Sequence, residues 1–289
     1  MSPACVLRFA PSPNGELHLG HALSALTGFE MARRCGGRFL LRIEDIDTGR
    51  SREAFVHGII TDLAWLGIRW EEPILRQSEH FPVYRAAAER LSAQGLLYPC
   101  FATRAEIAAA QAPDLGSDPD GAPLYPGLHR RLTAEQIATR KSLGALFALR
   151  IDMSRALQEV AERLGGAPLT FTELDAHARA QSVIAEPGRW GDAVILRKDV
   201  PASYHLAVVV DDARQGITHV TRGRDLYAAT DIHRMLQVLL GLPEPLYHHH
   251  RLIADGDGRK LSKSARDTSL RSLRASGTTP AEIRRLIGL

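Results

Sequence analysis

The chain has 289 residues, 45% hydrophobic and 24% charged, enough to bury a full core as one large domain or two small ones. Net charge is +3, with the basic excess confined to Ala213–Leu289 and the remainder net acidic; this fits a polyanion docking at one end, and equally a solvated basic surface. The longest apolar run, near Leu206–Val210, is far short of a membrane span, Cys5, Cys35 and Cys100 make no disulfide framework, and no signal peptide precedes the first strand, so a cytoplasmic protein is expected.

Val6–Phe9 (VLRF) suits a strand buried on both faces, and Ala10–Gly15 (APSPNG) is a turn that cannot continue it. His18-Leu19-Gly20-His21 follows, then Ala22, Leu23, Ala25, Leu26 and Phe29 at helical spacing. HLGH therefore sits where a strand hands over to a helix N-terminus, with backbone N–H groups and the positive end of the dipole facing one point. Gly20 lets a ligand approach the backbone, and His18 and His21 bring two imidazole donors beside a phosphate. Alone, the tetrapeptide reads as readily as two exposed histidines in a first helical turn.

Arg38–Ile46 reads as the second strand and ends in Glu44, Asp45 and Asp47. Ligands bind at the C-terminal ends of strands in open parallel sheets, so Glu44 is expected to face a cationic group while Asp47 does local work. The same carboxylates are also placed to cap a helix opening near Ser51 and running through Ile59, Ile60, Leu63 and Leu66. His80–Gln94 is an amphipathic helix stopped at Gly95. Thr103–Ala110 reads as helix, Ala112–Gly127 as loop, Ala145–Ile151 as strand and Arg155–Leu164 as helix, while 165–189 shows no clear period. Asp192–Arg197 resumes the fold. Tyr204–Asp212 (YHLAVVVDD) is favoured as a helix, Ile217–Arg222 as a strand, and Gly223-Arg224-Asp225 leads into a helix through Leu226, Ile232, Met235, Leu236 and Leu239. Leu246–Ile253 runs toward Lys260-Leu261-Ser262-Lys263-Ser264 in a Gly/Asp-rich loop, and 268–289 reads as two short helices separated by Gly277–Pro280.

Apolar strands, intervening helices and chemistry at strand ends point to a doubly wound α/β fold. The expected division is the first half of a nucleotide-binding fold in 1–97, an inserted subdomain in 98–190, the second half with KLSKS in 191–264, and a helical tail in 265–289. Lys260 and Lys263, near Gly256 and Gly258, suit a loop that closes over a transferring phosphoryl group and neutralises its charge. Arg8 and Arg222 suit a substrate with two carboxylates, Glu44 its ammonium, and Tyr204 offers a hydroxyl and a flat wall; each is also open to a structural role.

HLGH after the first strand and KLSKS near the end resemble the paired signature of class I aminoacyl-tRNA synthetases, and PSPNGELHLGH narrows the resemblance to the glutamyl/glutaminyl branch. RFAPSPNG, IEDID, YHLAVVVDD, VTRGRDL and KLSKS, in order across residues 6–264, are similar to the glutamyl-queuosine tRNA(Asp) synthetase family, short paralogues of glutamyl-tRNA synthetase. The resemblance implies a Rossmann-type doubly wound parallel sheet with an inserted α/β subdomain. It implies L-glutamate held by Arg8, Phe9, Ala10, Pro11, Ser12, Glu44, Tyr204 and Arg222. It places ATP, with Mg2+, on His18, Gly20, His21, Lys260 and Lys263, of which the two histidines and two lysines are catalytic. The implied reaction forms glutamyl-AMP without tRNA, then moves glutamate to the cyclopentenediol of queuosine in the anticodon of tRNA(Asp), in a monomer with no membrane partner.

Two features favour this family over long glutamyl-tRNA synthetases: the chain stops soon after Ser264, without an anticodon-binding domain, and Val208 stands where the long enzymes usually carry Asn. The competing readings are a truncated glutamyl-tRNA synthetase charging a tRNA 3′ end, a non-enzymatic glutamate-, ATP- or RNA-binding paralogue, and a small-molecule nucleotidyltransferase. Many family members hold zinc with Cys-x-Cys, a Tyr and a third Cys. Here Cys100 keeps one cysteine of the pair, Ala102 replaces the other, Tyr125 matches the tyrosine and His129 takes the third cysteine's place. Three ligands fall short of the four that a structural zinc wants, so none is expected, and Cys100 reads as a small buried hydrophobe.

Overall fold

Alternate residues of a strand face opposite ways, and in the first two strands that alternation divides the molecule into two cores. In the computed structural model, which describes residues 5–112, 115–253 and 268–289, β1 (Val6–Phe9) and β2 (Arg38–Ile43) pair in parallel, with Arg8 opposite Leu40. Leu7, Phe9, Phe39, Leu41 and Ile43 enter a core with α1 (Leu19–Arg34) and α2 (Glu53–Trp65). Val6 and Leu40 enter the other core, on the opposite face. Arg8, Arg42 and Glu44 share the parity of Val6 and Leu40, so the chain carries two guanidiniums and a carboxylate into that second side.

Beyond them run β3 (Glu71–Arg76), α3 (Phe81–Ala93), β4 (Leu97–Cys100), α4 (Arg104–Ala109), α5 (Ala134–Ser142), β5 (Ala148–Ile151) and α6 (Met153–Arg163). The hairpin β6 (Thr170–Leu174) and β7 (Ala180–Ile184), then β8 (Val194–Leu196), α7 (Tyr204–Arg214), β9 (His219–Gly223), α8 (Ala229–Leu240) and β10 (Leu246–His250) follow. The chain ends in α9 (Leu270–Ala275) and α10 (Pro280–Leu286). β1, β2 and β3 are parallel, and so are β9, β10 and β6, with β7 antiparallel at the edge. Thr218 joins the two sheets: its N–H donates to the Val6 carbonyl at 2.9 Å, and its hydroxyl accepts the Val6 N–H at 2.8 Å. The spatial order is therefore β3-β2-β1-β9-β10-β6-β7. Strand order reverses between β1 and β9, and that switch point is where an open α/β sheet leaves a crevice at its C-terminal edge.

Gly28 lets α1 lie close over this junction, because a Cβ there would meet Thr221 Oγ1 at 2.7 Å. A separate antiparallel sheet, β4-β5-β8, flanks the crevice. The stretch 165–189, without a readable period, is the β6–β7 hairpin and a following 3-10 turn; its outer strand is solvent-facing, which removes the alternation that marks a half-buried strand. β3 was not anticipated, because EEPILR sits at a sheet edge with charged, exposed residues.

The tail packs on the first core. Leu270, Ile283 and Ile287 are fully buried among α1 and α2 residues. Arg274 pairs with Asp62 at 3.2 Å and Arg284 with Glu30 at 3.2 Å. The Leu270 N–H donates to the Leu17 carbonyl at 2.7 Å, and Ser269 bridges to His18, so the tail begins directly against HLGH.

Candidate active site

HLGH caps its own helix. His18 is the N-cap of α1, its Nδ1 accepting the Gly20 N–H at 3.1 Å, while His21 Nδ1 accepts the His18 N–H at 3.1 Å. With both Nδ1 atoms accepting, each ring's hydrogen is carried on Nε2. The rings lie 3.9 Å apart, centroid to centroid. Gly20 also makes room for the His18 imidazole, since a Cβ would stand 2.9 Å from His18 Cε1. KLSKS, with Lys260 and Lys263, lies outside the described residues.

At the neighbouring strand ends, a cleft of about 270 Å³ is lined by Ser12, Glu44, Asp47, Arg197, Ser203 and Tyr204, among others. Its position follows from three local facts. β2 ends at Ile43, leaving Glu44 at the strand's C-terminal edge, where its N–H donates to the Pro11 carbonyl at 3.0 Å. Ser203 N-caps α7, which places Tyr204 in that helix's first turn. Arg197, just past β8, reaches Asp47 across the gap at 3.4 Å. Asp45, next to Glu44, turns away and holds the Ser78 N–H at 2.8 Å and Arg76 at 3.1 Å.

Behind the cleft, Arg8 forms a bidentate pair with Asp212 of α7, at 2.9 and 3.2 Å. Arg42 reaches the same carboxylate at 2.8 Å and Glu44 at 3.2 Å, all four groups being buried. Burial opposes ionisation of Asp212, but the two guanidiniums outweigh it and hold its carboxyl below the usual carboxylate range. Burial pushes the Glu44 carboxyl up against the pull of Arg42 and Arg8, and it pushes the Tyr204 phenol up. Arg8 is thus oriented by Asp212 behind the cleft. Asp212 and Arg42 were missed as site residues; the acidic pair ending the apolar YHLAVVVDD run was the signal for the first.

Arg222, on β9, is bound differently. It is 5% exposed and meets no carboxylate among the described residues; its Nε–H donates to His249 Nε2 at 3.1 Å, Nη1 to His233 Nδ1 at 3.2 Å, and Nη2 to the Thr230 hydroxyl at 2.7 Å. A guanidinium has five N–H donors, so one remains on each terminal nitrogen, the number a carboxylate takes in a fork. Burial, with the Arg222 charge, holds His233 well below the ordinary histidine value and His205 at about 4. These rings are therefore neutral acceptors that leave the Arg222 charge uncancelled. The charges of Arg222, Glu44, Arg8 and Asp212 all act on the Tyr204 hydroxyl.

The three residues at zinc-ligand positions, Cys100, Tyr125 and His129, pair with one another and with nearby backbone. The Cys100 thiol donates to the Tyr125 hydroxyl at 3.3 Å, and His129 Nδ1 accepts the Phe101 and Ala102 N–H groups, each at 3.1 Å. The Lys198 ammonium sits on the carbonyls of the same two residues at 2.6 and 2.9 Å, an unfavourable neighbour for a dication. No group of three metal-binding side chains occurs among the described residues, and no described helix is long and apolar enough to cross a membrane.

A doubly wound sheet with a histidine-capped helix after β1, and a cleft lined by paired charges at the C-terminal ends of its strands, defines a nucleotide-dependent enzyme of the class I synthetase type. Residues 4–289 match the model for the catalytic domain of class I tRNA synthetases specific for E and Q, and the chain belongs to that family. It is 47% identical over 287 residues to the glutamyl-Q tRNA(Asp) synthetase of Rhodobacter capsulatus, covering 98% of this chain and 100% of that one. It is 41% identical to glutamate–tRNA ligase 2 of a Methylobacterium species, covering 97% of this chain and 59% of that protein. Among solved structures, a glutamate tRNA ligase from Elizabethkingia meningosepticum, in complex with its amino acid, aligns at TM-score 0.73 and 27% identity, over 92% of this chain and 52% of the other. The chain thus spans little more than half the length of the glutamate–tRNA ligases it matches.

Proposed function

We propose that the protein joins L-glutamate to AMP from the Mg2+ complex of ATP without a tRNA, and then moves glutamate to the cyclopentenediol of queuosine in the anticodon of tRNA(Asp). The observation that carries the first step is the buried Arg222 guanidinium, which pairs with no carboxylate among the described residues and whose charge, with that of Glu44, acts on Tyr204. A substrate carboxylate completes the fork, and Glu44 takes the ammonium. The turn after β1, from Phe9 and Ala10 into Pro11 and Ser12, borders this site: Ser12 lines the cleft and the Pro11 carbonyl holds the Glu44 N–H. The second substrate carboxylate attacks the α-phosphorus, the bond to the pyrophosphate oxygen breaks, and pyrophosphate leaves. His18 and His21 Nε2–H and the α1 N-terminus accept the developing negative charge. Lys260 and Lys263 supply further positive charge. The likeness to the Rhodobacter protein along both whole chains supports queuosine as acceptor. Glutamate-dependent exchange of pyrophosphate into ATP tests the activation step. Saturable exchange without tRNA is expected; exchange that needs tRNA, or none, contradicts it.

A further inference from the structure

Arg222 is held in its fork geometry by a chain of groups that reaches out of the pocket to a different strand. His249, on β10, receives two donors at Nε2: the Arg222 Nε–H at 3.1 Å and the Thr230 hydroxyl at 3.2 Å. That nitrogen is therefore the unprotonated one, and Nδ1 carries the hydrogen. Nδ1–H donates to Glu173 Oε2 at 2.7 Å, and the other oxygen of the same carboxylate accepts the His249 backbone N–H at 2.9 Å. Glu173 lies on β6, is 7% exposed, and is carried beside β10 by the parallel pairing of Tyr247 with Glu173. Each link has one workable polarity: a carboxylate accepts, so Nδ1 donates, so Nε2 accepts, so Arg222 Nε donates.

We infer that Glu173 is a positioning residue for substrate recognition: acting through His249, it fixes the plane of the Arg222 guanidinium so that its two remaining N–H groups meet one carboxylate. The inference rests on the reading that Arg222 binds the glutamate substrate. The neutral imidazole gives the arrangement its point. A carboxylate placed directly on Arg222 would orient it equally well but would compete with the substrate for the fork, whereas an imidazole orients it while leaving the charge in place. Glu173 sits one ring away, supplies the polarity, and does not occupy the fork. Neither residue touches substrate, and neither lies in a motif, so both are invisible to any search for ligand-binding side chains.

The test is glutamate saturation in ATP–pyrophosphate exchange on the full chain, with histidine-labelled protein for NMR. Glu173→Gln keeps the volume but offers one acceptor where two are needed. It is expected to raise the KM for glutamate about tenfold, the cost of misdirecting a charged hydrogen bond, with little change in kcat or in the KM for ATP. The His249 resonances should shift from a single Nδ1–H tautomer to a mixture. His249→Gln, whose amide oxygen can stand where Nε2 accepts, should raise the glutamate KM less than His249→Leu, which removes the acceptor; this pair serves if Glu173→Gln does not fold. Arg222→Lys separates the two levels. If Arg222→Lys leaves glutamate saturation unchanged, the reading of Arg222 fails. If it raises the KM while Glu173→Gln leaves both KM and tautomer unchanged, or His249→Gln and His249→Leu behave alike, the positioning role is overturned and the binding role stands.

Discussion

Asp212 is the residue on which the pocket floor turns. It accepts Arg8 twice and Arg42 once, and it is itself buried, so it cancels charge that would otherwise stand in a low-dielectric interior. Asp212→Asn would leave two buried guanidiniums short of a counter-charge, and a loss of about 3–5 kcal/mol is expected in urea unfolding. A loss under 1 kcal/mol would show that solvent or Glu44 takes over the role. Gly20 tests the other half of the site. Gly20→Ala pushes the His18 ring off its cap, so α1 should lose about 1 kcal/mol and the KM for ATP should rise while the KM for glutamate stays put. An unchanged ATP requirement would remove the capped histidines from nucleotide binding.

At the scale of elements, the tail matters most. α9 and α10 bury Leu270 and Ile283 against α1 and α2, and the chain between β10 and α9 carries KLSKS. Ile283→Ala should cost about 2–5 kcal/mol and, by loosening the anchor at Ser269, weaken ATP use more than glutamate binding. Equal effects on both substrates, measured by pyrophosphate exchange, would make the tail a general brace only. The elements that sequence made legible share a property. β1, α1 and α7 are apolar with sharp boundaries at APSPNG, His18 and Ser203, so local pattern and burial agree. β3 and β7 were not legible because they are edge strands with charged or exposed residues, and β6 because it is placed by pairing with β10, far along the chain. The site divides in the same way. Arg8, Glu44, Tyr204 and Arg222 were visible by type and place, but the partners that set their roles, Asp212, Arg42, His233, His249 and Glu173, come from other elements and meet them only when the two halves of the sheet close.

For the whole molecule, the second core holds an acid-sensitive centre. Burial holds His205 and His249 at about 4 and His233 well below 6.5, whereas in the unfolded chain each titrates near 6.5. Between those values the unfolded state binds more protons, so stability rises with pH across that window and is lost as pH falls from 6.5 toward 4. The slope is about 1.4 kcal/mol per pH unit for each histidine once fully within the window. Denaturant titrations at pH 7.5 and 5 should differ by several kcal/mol; equal midpoints would mean that the rings titrate in the fold as they do in the unfolded chain. Glu173 and Arg222 face these rings from β6 and β9, so the same acid loss should take glutamate binding with it.

The central claim concerns where glutamate goes. The measurement that meets it most directly incubates the protein with ATP, radiolabelled glutamate and tRNA(Asp), with and without queuosine, and locates the label. Label on queuosine-containing tRNA(Asp) alone, at the modified base, is the predicted result. Label on a terminal adenosine, or on tRNA lacking queuosine, would contradict it and make this a tRNA-charging enzyme.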